Sequence, residues 1–156
     1  MKKLIYLCFA MCFFTLVSTA QKFTQQDLQG TWKLTSFSGG GMTIDVVKGK
    51  FDLSPELLSQ LSESDKMQMD LGMAQAMEMF KESYAEFTGN SLKQNMGPAE
   101  HSGTFTLKEE GGKQFLVFTD TAGVTEDLGV SIKDKSLHLL QGTGAETAEL
   151  VFIKQP

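Results

Sequence analysis

Side chains that could act in catalysis are few in this sequence and widely spaced. Neither Gly-x-Ser-x-Gly nor His-Glu-x-x-His occurs, so the common motifs of serine hydrolases and zinc hydrolases are absent. The carboxylates of Asp120, Glu126 and Asp127 flank a predicted glycine turn, where solvated charge is the ordinary expectation. Gly142-Thr143-Gly144 joins two predicted strands, which does not fit a dinucleotide-binding loop. We therefore expect no enzymatic activity and no cofactor.

His138 is one of only two histidines, and it alternates with Leu137 and Leu139. Successive side chains of a strand point to opposite faces, so His138 is expected on the face opposite to these leucines. This pattern predicts a histidine that is exposed or hydrogen-bonded to a neighbour. A polar anchor inside the fold is the alternative.

Methionine supplies a second kind of chemistry, because its thioether sulfur is a soft donor that suits copper(I). Two Met-x-Met pairs occur, Met67-Gln68-Met69 and Met77-Glu78-Met79. The histidines, His101 and His138, lie far from both pairs in sequence. We therefore expect no metal site and keep methionine-based copper binding as an alternative.

The first 20 residues have the features of a secretory signal peptide. Lys2 and Lys3 precede an apolar run at 4–17, and Ser18-Thr19-Ala20 provides the small residues that signal peptidase requires. The apolar run is too short to cross a bilayer comfortably. We expect cleavage before Gln21 and export to the periplasm or the extracellular space, with no membrane span.

Composition limits the partners of the remaining domain, residues 21–156. Both cysteines, Cys8 and Cys12, lie in the predicted signal peptide, so stability must come from packing without a disulfide. The 136 remaining residues fit a single domain and include 12 lysines, 19 acidic residues and no arginine, a formal charge of −7. Nucleic-acid binding depends on cationic groups, so we expect no nucleic-acid partner. We also expect a monomer.

Apolar and polar residues alternate through most of the chain after Gly30, as in strands with one buried face. In the first of these strands, Trp32 and Leu34 share the buried side. Further strand-like runs, about ten residues apart and joined by polar turns, lie at 86–93, 104–108, 114–119, 124–132, 136–140 and 148–154. This spacing predicts a mainly β fold, an antiparallel meander of about eight strands closed into a barrel.

A helical insertion at 54–84 interrupts the strands. Ser54-Pro55-Glu56 and Ser62-Glu63-Ser64-Asp65 are both helix-start signals. From Lys66 onward, apolar residues recur every three or four positions, at Met69, Met73, Met77, Phe80 and Tyr84. We predict a short helix followed by a helix of about five turns, whose methionine face packs on the barrel. A flexible lid over the barrel mouth is the alternative.

The opening Gly30-Thr31-Trp32-Lys33-Leu34 and the closing apolar strand with Lys154 resemble the lipocalin-like (calycin) family of small exported bacterial proteins. The opening, followed by two helices and a meander, is also similar to the fatty-acid-binding proteins. The resemblance implies a barrel around a small apolar ligand, with Trp32 in a structural role. In lipocalins an arginine packs on this tryptophan, and here Lys154 is the only nearby cationic substitute.

Fatty-acid-binding proteins hold the ligand carboxylate with arginines, and this chain has none, so a neutral ligand held by apolar contacts and hydroxyls is expected. The resemblance thus implies non-catalytic binding of a small apolar molecule in the barrel or at its mouth. A filled barrel that acts on another protein through its surface is the alternative. The candidate ligand-binding residues are Leu34, Met73, Met77, Phe80, Tyr84, Phe105, Leu107, Phe115, Val117 and Leu139, with Trp32 and Lys154 in structural roles.

Overall fold

Strands make up most of the chain from Gly30 onward. The computed structural model describes residues 22–97, 99–142, 144 and 147–156, and the predicted signal peptide at 1–20 lies outside them. The helices are α1 (Gln25–Leu28), α2 (Pro55–Gln60) and α3 (Glu63–Lys81). The strands are β1 (Gly30–Gly39), β2 (Met42–Asp45), β3 (Lys50–Leu53), β4 (Tyr84–Thr88), β5 (Ser91–Met96), β6 (Ala99–Glu110), β7 (Lys113–Asp120), β8 (Thr125–Lys133), β9 (Ser136–Gln141) and β10 (Ala148–Lys154).

Eight of these strands close into an antiparallel barrel. Strands β4 to β10 pair in chain order, β4 also pairs with β1, and β10 returns to pair with β1. One edge of β1 pairs with β10, whereas the other pairs with β4 over its first half and with β2 over its second. The β2–β3 hairpin therefore branches from the barrel wall. The predicted mainly β fold, a closed antiparallel barrel of about eight strands, is confirmed.

Tight turns keep the meander in register. Asp134 and Lys135, between β8 and β9, have φ values of 49° and 66°. Gly111 and Gly112, between β6 and β7, have φ values of 59° and 75°. Two successive positive φ values are typical of the type I′ turn, whose twist matches that of the flanking strands. These turns therefore favour antiparallel neighbours over crossover connections.

The helical insertion lies between β3 and β4, after the early strands as predicted. The Ser62 hydroxyl accepts a hydrogen bond from the Asp65 backbone N–H at 3.2 Å, and the Asp65 carboxylate accepts from the Ser62 backbone N–H at 3.2 Å. The hydroxyl and backbone N–H of Ser62 together lower the pKa of Asp65 below its usual value. Met73 and Met77 of α3 are buried in the same apolar cluster as the barrel interior. The helix therefore packs on the barrel through its methionine face.

The prediction for Tyr84 was wrong. Helix α3 ends at Lys81, and Tyr84 begins β4, where it pairs with Lys33 of β1. Its neighbour Ala85 is buried, as is Phe87, so the alternation places Tyr84 on the outer face of the barrel. Tyr84 lies four residues after Phe80, so the helical spacing of apolar residues continues to it in the sequence. The helix nevertheless ends at Lys81, and strand pairing begins at Tyr84.

One end of the barrel is closed by α1. The indole Nε1 of Trp32 donates a hydrogen bond of 2.6 Å to the Leu28 carbonyl, and Leu28 is fully buried. Lys154 Nζ lies 5.3 Å from the centroid of the Trp32 ring and 3.3 Å from the Asp27 carbonyl oxygen. A cation over an indole at a partly exposed site contributes about 0.5–1 kcal/mol. We call this the closed end.

The barrel interior beside the closed end is filled by side chains. The rings of Phe87 and Phe105 meet edge to face, with centroids 5.1 Å apart and planes at 85°. Leu34, Leu92 and Phe152 are also fully buried around them. These side chains occupy the interior at this level, and Phe152 also borders the cavity that lies farther along the barrel axis.

Gly103 allows β6 to pass very close to β7. A Cβ atom at this position would overlap the carbonyl oxygen of Thr119 and lie 2.8 Å from Asp120 Cα. Both neighbours are backbone atoms, which cannot move aside as a flexible side chain would. We therefore expect Gly103→Ala to lower the free energy of unfolding by about 1–3 kcal/mol, measured by chemical denaturation.

Gly72 is the matched control, because it lies within α3 and a Cβ there would meet no atom within 4 Å. Alanine is favoured over glycine inside a helix, so Gly72→Ala should raise the free energy of unfolding by up to about 1 kcal/mol. Equal effects of the two substitutions would contradict the close approach of β6 and β7 at Gly103.

Candidate ligand-binding site at the barrel mouth

The end of the barrel opposite α1 is its mouth. Strand β1 begins at the closed end and reaches the mouth at Gly39, and antiparallel pairing fixes the direction of the others. The β7–β8 and β9–β10 connections therefore lie at the mouth, as does the insertion that carries α2 and α3. Turns and insertions at one end of a barrel are where binding residues are commonly found.

A cavity of about 440 Å³ opens at the mouth. Its deeper wall is made of buried apolar side chains, and half-buried apolar groups complete it nearer to solvent. The buried group consists of Phe118, Leu128, Leu139 and Phe152, and the half-buried group of Phe37, Phe80, Met96 and Leu150. The volume is in the range of pockets that hold small ligands.

A β-bulge in β1 places Phe37 in this cavity. Leu34 pairs with Phe152, but the next paired residue of β1 is Ser36, which faces Val151, so Thr35 is an extra residue. An extra residue reverses which alternate side chains face inward. Trp32 and Leu34 face the interior before the bulge, and Phe37 faces it afterwards. An unbulged β1 would have turned Ser36 inward.

Helix α3 reaches the cavity through its last turn. The rings of Phe80 and Phe37 are stacked, with centroids 6.5 Å apart and an angle of 9° between their planes. Phe80 is the α3 residue that lines the cavity among the described residues, whereas Met73 and Met77 are buried beside it in the core cluster. The methionines therefore support the wall of the site and do not form its surface.

Polar side chains face the mouth from five consecutive strands, β5 to β9, and we call them the polar collar. Each occupies an inward position of its strand, an even number of residues from a buried apolar side chain such as Leu92, Phe105 or Phe118. The collar consists of Gln94, His101, Asp120, Glu126 and Gln141. It lies above the apolar wall, as expected where a barrel interior meets solvent.

Two hydrogen-bonding arrangements hold the collar carboxylates. Gln141 Nε2 donates to Glu126 Oε1 at 2.6 Å, which links the neighbouring strands β8 and β9 at the mouth. Asp120 Oδ1 accepts hydrogen bonds of 2.8 Å from the backbone N–H groups of Ala122 and Val124, so this carboxylate also shapes the β7–β8 turn. The Glu126 carboxylate is thus held by a side chain of β9, and the Asp120 carboxylate by the backbone of the turn that follows β7.

Of the ten candidate ligand-binding residues, the structure places Phe80 and Leu139 at the cavity. Leu34 and Phe105 are fully buried deeper in the barrel, and Leu107, opposite buried Leu116, also faces the interior. His138 is outside the cavity, because Leu137 and Leu139 take the inward positions of β9 and His138 Nδ1 lies 2.8 Å from Glu149 Oε1.

The assignment of Phe115 and Val117 to the interior was wrong. Strand β7 buries Leu116 and Phe118 instead, and Phe118 pairs with inward-facing Phe105. Phe115 lies on the outer face, where Lys108 Nζ is 5.6 Å from its ring centroid. Residues 115–118 are all apolar, so the sequence has no alternation that would distinguish the two faces.

Most of the polar collar is not recognisable as a site from the sequence. Asp120 and Glu126 flank a predicted turn, which favours solvated charges, and Gln94 and Gln141 belong to no motif. The available signal was position, because Asp120 lies two residues after Phe118, and Gln141 two residues after Leu139. That signal becomes informative only when the inward face of each strand is known.

A larger and more open groove of about 660 Å³ lies on the outside of the closed end. Exposed charged residues, among them Lys22, Asp134 and Lys135, form much of its lining. Lys22 is already paired with Glu109 at 2.9 Å. The groove therefore lacks the enclosing apolar wall of the mouth cavity, and the mouth is the candidate site despite its smaller volume.

The two Met-x-Met pairs are divided between two sides of α3. Met67 and Met79 are exposed, whereas Met77 is buried and Met69 half-buried. In the part of the chain that the structure describes, no three histidine, cysteine, aspartate or glutamate side chains come together as a metal site. Copper binding stays an untested alternative.

The geometry defines this protein as a closed eight-stranded antiparallel barrel with an apolar cavity at one end. No family model and no curated protein matches the sequence. A crystal structure of a DUF4847 family protein from Bacteroides vulgatus ATCC 8482 is similar in fold, with a TM-score of 0.50 and 12% sequence identity. The match covers 83% of this chain and 96% of that chain, and at this identity it supports the barrel fold alone. Among the described residues, no helix has the length and apolar character needed to cross a membrane.

Because Phe80 joins α3 to the mouth, we expect Phe80→Ala to lower the free energy of unfolding by about 2 kcal/mol, through lost burial and the lost stack with Phe37. Amide hydrogen exchange of α3 should accelerate, while the buried strands keep their protection. Met79→Ala is the control, since Met79 is 45% exposed, and its effect should stay within about 0.5 kcal/mol. Similar losses in both variants would contradict the anchoring role of Phe80.

Proposed function

We propose that this chain is an exported, non-catalytic, lipocalin-like protein that binds a small apolar molecule at the mouth of its barrel. The observation that carries the proposal is the 440 Å³ cavity, which is walled by apolar side chains from the barrel strands and by Phe80. Binding pockets for small molecules are typically of this size, mostly apolar, and supplied with a few polar groups that orient the ligand.

Burial of apolar surface is the driving force for such a ligand. A molecule that buries about 300 Å² of apolar surface gains about 7 kcal/mol before the cost of association is subtracted. A gain of about 7 kcal/mol alone corresponds to a dissociation constant of about 10 μM, and association costs about 4 kcal/mol or more, so apolar burial by itself leads us to expect binding in the millimolar range. The strands that form the wall are already ordered, which limits the further cost of organising the site.

The polar collar provides the orienting groups. Gln94 and His101 face each other as paired residues of β5 and β6, and Gln141 is held by Glu126. A ligand with an apolar body and one polar end would place the body against Leu139 and the end beside the collar. Contacts of this kind set orientation and specificity more than affinity.

Export is the second part of the proposal. It is supported by Lys2 and Lys3, by the apolar run at 4–17 and by the small residues before Gln21. The lipocalin-like assignment is supported by the Gly30-Thr31-Trp32 opening and by Lys154, which lies over the Trp32 ring where lipocalins have an arginine.

A substitution that fills the cavity tests the proposal. Leu150 is half-buried and lines the mouth, so the larger indole of Leu150→Trp should occupy the ligand volume. We expect the uncharged fluorescent dye N-phenyl-1-naphthylamine to bind the wild-type protein and to bind Leu150→Trp at least about tenfold more weakly. Titration of the dye, followed by its fluorescence, measures both values.

Ile153→Trp provides the control, because Ile153 lies on the same strand but is 43% exposed. This variant should bind the dye as the wild type does, and thermal melts of both variants should show a cooperative transition. Wild-type affinity in Leu150→Trp would place the dye outside the cavity, and weaker binding by Ile153→Trp would place it in the groove at the closed end, which Ile153 lines. If the wild-type protein fails to bind the dye, the proposal is wrong and the surface-interaction alternative gains support.

A further inference from the structure

The charge of the mouth cavity is predominantly negative. Two carboxylates, Asp120 and Glu126, line it together with the amides of Gln94 and Gln141. His101 is the basic group at the site, and no lysine is found among the described residues that line the cavity. The chain has no arginine at all. An apolar cavity therefore opens to solvent through a rim that carries negative charge.

Glu126 is the better placed of the two carboxylates to meet a ligand. It pairs with Phe118, which lies in the apolar wall, so its side chain projects from the same face as that wall. Its Oε1 atom accepts the hydrogen bond from Gln141, and a carboxylate has a second oxygen that can accept further donors. Asp120, by contrast, also serves the backbone of the β7–β8 turn.

We propose that the mouth selects molecules with an apolar body and a cationic ammonium head. This inference rests on the proposed function and specifies the class of ligand. A positive head beside Glu126 and Asp120 gains Coulomb attraction and charge-assisted hydrogen bonds, whereas a carboxylate head would be repelled. The apolar body would lie against Leu128 and Leu139, as for a neutral molecule. Discrimination of this kind comes from repulsion of the wrong head as much as from attraction of the right one.

Three ten-carbon probes with different heads separate charge from apolar burial. Decylamine carries a positive head at pH 7, 1-decanol a neutral one and decanoic acid a negative one. Each probe would be titrated against the bound uncharged dye in about 0.15 M salt, which screens the field of distant surface charges. We expect the dissociation constant of decylammonium to be about three- to tenfold lower than that of decanol, with decanoate the weakest.

The Glu126→Gln substitution tests whether Glu126 is responsible for the preference for a positive head. The glutamine retains an oxygen that can accept from Gln141, so the link between β8 and β9 is preserved while one charge is removed. The preference for decylammonium over decanoate should fall by about tenfold in this variant, and binding of decanol should change by less than about twofold.

Asp127→Asn is the matched control. Asp127 is the next residue of β8 but lies on the outer face, where it pairs with Lys108 at 2.6 Å. The Asp127→Asn substitution removes the same charge from the protein without altering the cavity. The preference among the three probes should stay within about twofold of the wild-type value.

The outcomes separate this inference from the proposed function. Displacement of the dye by decanol, with equal or better displacement by decanoate than by decylammonium, would overturn the head-group preference and leave the proposed function standing. An equal loss of preference in Glu126→Gln and Asp127→Asn would also overturn it, because net charge alone would then explain the selectivity. A wild-type protein that binds none of the probes would overturn both.

Discussion

The pairing of β1 with β10 is the constraint on which the rest of the structure depends. A meander has two unpaired edges unless its first and last strands meet, and an exposed edge invites association with other chains. Here the two strands pair from Trp32 and Lys154 at the closed end to Ser38 and Glu149 near the mouth. Closure converts the inner face of the sheet into an enclosed volume, so each alternate side chain must either fill that volume or line it.

The barrel interior differs between the closed end and the mouth. At one end, Trp32 and Leu28 share a buried hydrogen bond, and fully buried side chains lie above them. Towards the other end, the bulge at Thr35 reverses the alternation of β1 and presents Phe37 to Phe80 of α3. The cavity is therefore confined to the mouth, and one residue inserted in one strand determines which aromatic ring borders it.

The sequence was most informative where its local signals were strong. The alternation around Trp32 and Leu34, the N-cap at Ser62 and the methionine spacing of α3 each depend on neighbours in the chain, and each predicted the correct element. The barrel followed from the even spacing of polar turns. These features are local, so they can be recognised before any long-range contact is known.

Features set by long-range pairing were harder to predict. The run 115–118 is apolar throughout, and only its pairing with β6 determines that Phe118 faces inward and Phe115 outward. The β-bulge and the start of β4 at Tyr84 likewise arise from strand pairing. The polar collar joins residues of five strands, such as Gln94 and Gln141, so no single stretch of sequence could reveal it.

The central claim is that an apolar ligand occupies the mouth and not the groove at the closed end. The most direct measurement is a crystal structure of the protein soaked with 1-bromodecane, in which anomalous scattering locates the bromine atom. The account predicts a bromine peak within the mouth, in contact with Leu139, Leu150 or Phe80. A peak beside Trp32 and Lys135, or on the exposed side of α3, with the mouth cavity empty, would contradict it.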